Sequence, residues 1–419
     1  MPAKLCGASR RELLLGSGAL FAWAFVPKIA RAEGRDPRFL TIVLRGALDG
    51  LAVVAPVGDP DWIKLRGDNA LQLDGATRAL PLDGFFALNP AMPNLHRLYR
   101  AGQAIVVHAV ATPYRDRSHF DGQDVLESGF AGPGHTDNGW LNRALTCLEP
   151  DDRVRIGTNR GHAFAAGPIT PLVVRGPAPV LSWAPSHLPS VSDDTTMRLL
   201  DLYRHTDPEL ARVLDQRIDL ATLVPGNRPV QDADNKGPPV QVGNINRVRA
   251  YFIEAAGTAA QFLANPDGPR VGALALDGWD THNNEGAANG RLSQLLGALD
   301  AALAAIETNM GAVWNETVVT LITEFGRTAR INGTEGTDHG TATVALLAGG
   351  AVNGGRVIAD WPGVAESNLF ENRDLKATTD LRGVLKGILR DHLRIDEHAL
   401  MTDVFPDSKG VNPIGGCLI

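Results

Sequence analysis

The apolar positions of this 419-residue chain fall into two kinds of segment that take turns along it. "FLTIVLRG" (Phe39–Gly46) is an uninterrupted apolar run ending at a Gly-rich turn, as expected of a strand buried on both faces of a parallel sheet. Within Met92–Val110, Leu95, Leu98 and Tyr99 keep helical spacing, Gly102 stops the helix, and Ala104–Val110 reads as a strand. Val271–Leu276 is another apolar strand. Leu292–Ile306 is an Ala/Leu-rich amphipathic helix, and it leads to the strands Thr317–Thr323 and Thr343–Ala348. The alternation predicts an α/β fold: a doubly wound, mostly parallel sheet with helices on both faces. All of these strands are expected to share that sheet.

Residues 150–241 break the pattern. They are rich in Pro and Arg, contain "VRGPAPVLSWAPSHLPS" and a polar amphipathic helix around "MRLLDLYRH", and end in the turn-rich Val224–Gln241. The stretch reads as an insertion or cap over the carboxyl edge of the sheet. Neither an internal repeat nor a phosphate-cradling Gly loop is present in the sequence.

The first 32 residues have the features of a targeting signal. Arg10 and Arg11 precede an apolar stretch from Leu13 to Val26, and Ala30-Arg31-Ala32 supplies a small-x-small cleavage site. The apolar stretch is too short and too broken by Gly to span a bilayer stably. These elements predict export through the twin-arginine machinery and a soluble periplasmic or secreted protein spanning residues 33–419. The signal holds five basic residues and one acid, so its removal moves the formal charge from −7 to −11. So acidic a chain is not expected to partner nucleic acid. Cys147 and Cys417 are the cysteines left after cleavage, too few for a disulfide framework.

Candidate chemistry concentrates in two segments, Ala275–Gly286 and Leu321–Thr343. In each, an apolar strand runs into a Gly-marked turn loaded with metal-capable groups: Asp277, Asp280 and His282 in the first, Glu324, Asp338 and His339 in the second. Carboxylates and imidazoles at the carboxyl ends of strands converge on the crevice of an open α/β sheet. Asp280 and His282 alternate along the backbone, so an extended segment presents both on one side. Such mixed O/N donors suit one divalent ion such as Zn²⁺, Mn²⁺ or Fe. The competing reading makes Asp280 a turn former and His339 a hydrogen-bonded bystander oriented by Asp338. Ser118, in "YRDRSHFDGQD", is either a nucleophile at a helix start or a plain N-cap, and His119 an alternative base or ligand. Arg327 either grips an anionic ester or braces the loop through Glu324.

In order, these segments resemble a known family. "MPNLHRLYRAGQAIVVHAVATPYRDRSHFDGQDVLESG" is similar to the early segment of the alkaline phosphatase and sulfatase superfamily, and "GTDHGTATVALLAGG" to the segment that supplies a late metal-binding His in its phosphopentomutase branch. With the twin-arginine leader, "GWDTH", "TEFGR" and "GTDHG" resemble the DUF1501 family, often grouped with that superfamily. The resemblance implies an alkaline-phosphatase-like fold in which Asp280, His282 and His339 bind a metal and Ser118 or His119 holds the nucleophile position. Asp49 stands near the early carboxylate, and Asp338 and Glu324 are further candidate ligands. Two departures matter: Phe325 stands where a second metal would need His, and Arg45-Gly46 where an aspartate pair is usual. The implied activity is hydrolysis of phosphate or sulfate esters at a reduced, one-metal site, acting on a small anionic ester. The alternative is a non-catalytic periplasmic binding or scaffold protein on the same fold.

Overall fold

The computed structural model describes residues 21–24, 36–75, 78–148, 171–178, 180–183, 245–266 and 268–419. The expected leader, apart from Phe21–Ala24, and the expected insertion at 150–241, apart from 171–178 and 180–183, lie outside the described residues.

One sheet organises the molecule. In chain order its strands are β1 (Phe21–Ala24), β2 (Arg38–Arg45), β3 (Ala104–Ala111), β4 (Val180–Trp183), β5 (Val271–Asp277), β6 (Thr317–Ile322), β7 (Thr343–Ala348), β8 (Arg356–Ile358) and β9 (Thr379–Asp380). The spatial order is β8-β3-β7-β6-β2-β5-β1-β4, with β9 also paired to β3. Every strand expected from the apolar pattern is in this sheet. All run one way except β1 and β7, which are antiparallel to both of their neighbours. The sheet is therefore mostly parallel but mixed. β6 connects to β7 without a helical crossover, so β7 must return antiparallel. On its outer side β3 is covered by two short strands, β8 along Ile105–Val107 and β9 along Val110–Ala111.

Both faces of the sheet are buried, by the alternation that pleating imposes. Leu40, Ile42 and Leu44 of β2 face one core, Phe39 and Val43 the other. On the first face lie α1 (Pro93–Arg100) and the long helices α4 (Ile245–Ala264) and α5 (Arg291–Met310). On the second lie α3 (Trp140–Thr146) and α6 (Leu381–Leu393). Each fully buried Leu or Ile contributes about 1.5–3 kcal/mol relative to exposure, so these continuous apolar strands, more than helix propensity, fix the layers. Helix α1 opens with Pro93, and its free N–H groups at Asn94 and Leu95 donate to Asp300 of α5 at 3.0 and 2.9 Å. A carboxylate borrowed from a neighbouring helix thus caps α1 and fixes its position. Among the described residues, no helix is long and apolar enough to cross a membrane.

The loops that matter sit at one edge, where β2, β5 and β6 end and β7 begins. Helix α2 (His119–Ser128) lies over this edge. It is held close because Gly122 has no side chain: a Cβ there would meet the Phe325 ring at 2.8 Å. Helix α2 ends at Gly129, whose N–H donates to the Val125 carbonyl and whose left-handed backbone (φ 77°) then turns the chain out of the helix.

Candidate metal centre

Three imidazoles meet around one carboxylate at this edge. Asp280, three residues beyond β5, faces His282 Nε2 at 3.0 Å and His339 Nε2 at 3.3 Å through Oδ1. Its Oδ2 faces His119 Nε2 at 3.6 Å. The His282 and His339 Nε2 atoms are 3.0 Å apart, and the His119 and His339 rings meet edge-on with centroids 4.2 Å apart. Ligand atoms of His119, Asp280 and His339 all lie within 4.8 Å of one another, close enough to share an ion.

Each ring has an oxygen behind it. His119 Nδ1 is 2.9 Å from Glu324 Oε1, His282 Nδ1 is 3.2 Å from Asp338 Oδ1, and His339 Nδ1 is 2.9 Å from the Arg117 carbonyl. Each Nδ1 thus has an oxygen acceptor behind it, as a ring that gives its Nε2 to an ion requires. An oxygen acceptor behind an imidazole is the usual arrangement of a metal-ligating His. His119 Nε2 is moreover buried and, among the described residues, makes no hydrogen bond within 3.5 Å, Asp280 Oδ2 standing at 3.6 Å. A buried polar atom left so is unfavourable, and a cation among these donors would satisfy it. Asp280 and Glu324 together hold the His119 imidazolium up at about 9. Burial would raise the Asp280 carboxyl, but His119, His339 and Arg327 outweigh it and hold it well below the ordinary range.

The other expected site residues take supporting places. Glu324 is fully buried and binds His119, the Gly46 N–H (2.8 Å), Gln123 Nε2 and the Thr323 hydroxyl. Burial alone would raise it, but these donors, His119 first, keep its carboxyl low. Its position is behind His119. Arg327, expected to grip an ester, is buried and committed: one guanidinium nitrogen is 2.7 Å from Asp280 Oδ1, and the others bind Thr337. Asp338 is half exposed and accepts from His282 and Asn332. Asp49 needs correcting as a ligand. Its carboxylate is buried against Arg66 at 2.6 Å and caps the helical turn Gly50–Val53, so both oxygens are already used. Ser118 stands at the N-cap of α2 but makes no side-chain cap hydrogen bond. Phe325 stacks on His119 with centroids 5.1 Å apart and seals the far side.

What the sequence did not disclose is the support. Arg117 takes a left-handed backbone (φ 62°) in presenting its carbonyl to His339, and no residue pattern marks that. The second of the two loops also folds back on itself so closely that a Cβ at Gly326 would lie 1.9 Å from the Ala342 carbonyl oxygen, and it meets the first where a Cβ at Gly336 would lie 2.2 Å from the His282 carbonyl oxygen. The glycines of "TEFGR" and "TDHG" were a signal of this folding back.

Residues 104–405 match a family model described as "Protein of unknown function (DUF1501)". No curated protein matches the chain.

Proposed function

From the premise that the chain belongs to the DUF1501 family, whose description assigns no activity, we propose that it is an exported hydrolase of phosphate or sulfate esters using one divalent transition metal. The observation that carries this reading is the set of three imidazoles whose Nε2 atoms converge on Asp280 while each Nδ1 is tied to an oxygen. In this reading His119, Asp280, His282 and His339 are the ligands. Imidazole-rich sets favour Zn²⁺, Mn²⁺ or Fe over Mg²⁺ or Ca²⁺. A divalent ion so held supplies Lewis-acid polarisation of an ester oxygen and acidifies a water.

The chain's own residues do the rest. Asp280 and His282 are 43% and 38% exposed at their side chains, so the centre opens to solvent on one side and leaves room for a substrate. Ser118, which makes no side-chain cap hydrogen bond at the start of the ten-residue helix α2, offers a hydroxyl where backbone N–H groups favour an anion. Arg327 fixes the Asp280 carboxylate. The substrate class rests on the resemblance to alkaline phosphatases and sulfatases, as does an alkaline-phosphatase-like assignment of the fold. Phe325, buried against His119, limits the site to one ion. It also favours a second reading, in which the chain is a metal-loaded binding protein without turnover.

Elemental analysis of the exported protein, together with hydrolysis of p-nitrophenyl phosphate and sulfate, tests both. The expected result is about one transition-metal ion per chain. Activity should be lost in His282→Ala and His339→Ala while circular dichroism is unchanged. Protein free of metal after purification without chelators would sink the metal reading. Stoichiometric metal with no turnover on either ester would leave the binding-protein reading.

A further inference from the structure

Glu285 is a buried carboxylate outside the cluster of His119, Asp280, His282 and His339, in no ion pair among the described residues, and its two oxygens are divided between the loops that carry Asp280 and His339. Oε1 accepts from the Thr281 hydroxyl at 2.9 Å, and Oε2 from the Thr337 hydroxyl at 2.7 Å. Both threonines and Glu285 itself are buried. Thr281 lies between Asp280 and His282, whereas Thr337 lies two residues before His339. The same threonines are joined along the backbone, Thr337 N–H donating to the Thr281 carbonyl at 3.2 Å. Thr337 is also the anchor of Arg327, which holds Asp280. Glu285 in turn is fixed to the rigid part of the fold: its carbonyl accepts from Leu292 N–H in the first turn of α5, and its own N–H donates to the Glu335 carbonyl.

We infer that Glu285 is a positioning residue, a clamp that sets the spacing of Asp280 and His282 from His339 through Thr281 and Thr337. The inference rests on the reading of these residues as metal ligands. Its physical basis is that a carboxylate accepts two hydroxyl protons at once. In a dry environment each such bond is strong, and each is unfavourable to leave unmade. Without the clamp the two loops keep their backbone contacts and the Arg327–Asp280 and His282–Asp338 contacts, but lose the buried tie between Thr281 and Thr337 that helps to set how far apart the Nε2 atoms of His282 and His339 stand. Groups that orient metal ligands typically change affinity by roughly 10–100-fold when removed.

The test uses Co²⁺, whose visible absorption reports the geometry of its donors, titrated into the full chain after its metal has been stripped. Glu285→Ala is expected to bind Co²⁺ roughly 10–100-fold more weakly than wild type and with an altered visible band. Glu285→Gln should recover most of the affinity, its amide oxygen accepting from Thr337 while its NH₂ donates to the Thr281 oxygen. Thr281→Val and Thr337→Val, which keep the volume, should each weaken binding in the same direction, and they carry the test if Glu285→Ala does not fold. A role confined to stability would lower the melting temperature yet leave the Co²⁺ affinity and band of the folded protein as in wild type. That result overturns the inference. Wild-type protein that fails to bind Co²⁺ overturns the metal reading itself, and is told apart by its failure before any variant is made.

Discussion

His119, His282 and His339 differ in what stands behind each ring, and the exposure of that partner sets what it is worth. Glu324 is fully buried behind His119, whereas the Asp338 side chain behind His282 is 51% exposed. Water can replace Asp338 but not Glu324. Glu324→Gln is therefore expected to weaken metal binding by roughly 10-fold or more, and Asp338→Asn by much less. Chelator competition measures both, and equal losses would contradict the argument. A second residue-level prediction concerns His108, buried in β3 with Nε2 on the Val54 carbonyl and Nδ1 accepting from Ala109 N–H. Burial pushes its imidazole down to about 4. The unfolded chain takes up this proton near pH 6.5, so the stability is complete above that pH. It is lost as pH falls from about 6.5 toward 4, by roughly 3 kcal/mol in all. Urea unfolding across this range should show the slope in wild type and lose that part of it in His108→Gln. Asp280, His282 and His339 were legible because each follows or precedes an apolar strand at a Gly-marked turn. Asp49 misled because an Asp after a strand is equally a helix cap, and only its distance to Arg66 tells the two apart.

At the scale of elements, the strands were readable because burial on both faces leaves an unbroken apolar run, which a half-buried strand would not. Their directions were not readable. The reversal at β7 depends on the Gly-rich connection from Glu324 to Ala342 folding back at the sheet edge. That reversal brings His339 to the edge where β5 has already delivered Asp280. Helix α2 completes the centre, and its height over the sheet is set by Gly122 against the Phe325 ring. Replacing a helical Gly by Ala normally stabilises by about 1 kcal/mol. Here Phe325 is buried and cannot yield, and overpacking of this kind costs about 1–3 kcal/mol. Gly122→Ala is thus expected to be neutral to destabilising by up to about 2 kcal/mol. It should also weaken metal binding by lifting His119. A clear gain in urea stability with unchanged metal affinity would show that α2 does not set the site.

For the whole molecule, the proposed export makes the sharpest prediction. The mature N-terminus should be Glu33, and changing Arg10 and Arg11 to Lys should hold the precursor in the cytoplasm; cell fractionation with N-terminal sequencing reads both. Normal export of the Lys variant would remove the twin-arginine assignment. Processing there would also withdraw β1, which in the full chain lies between β5 and β4, a placement that nothing in the leader's sequence suggested. The opposite side of the sheet has a different consequence. β3 is eight residues of almost unbroken apolar sequence, "AIVVHAVA", and its outer backbone groups would template pairing with any extended chain. β8 and β9 divide that edge between them, three residues and two. What neighbouring molecules meet instead is a strand too short to propagate, headed by the exposed Arg356. Shortening or loosening the segment that carries β8 should therefore reveal itself first as self-association at high concentration, well before any change in the cluster of His119, Asp280, His282 and His339.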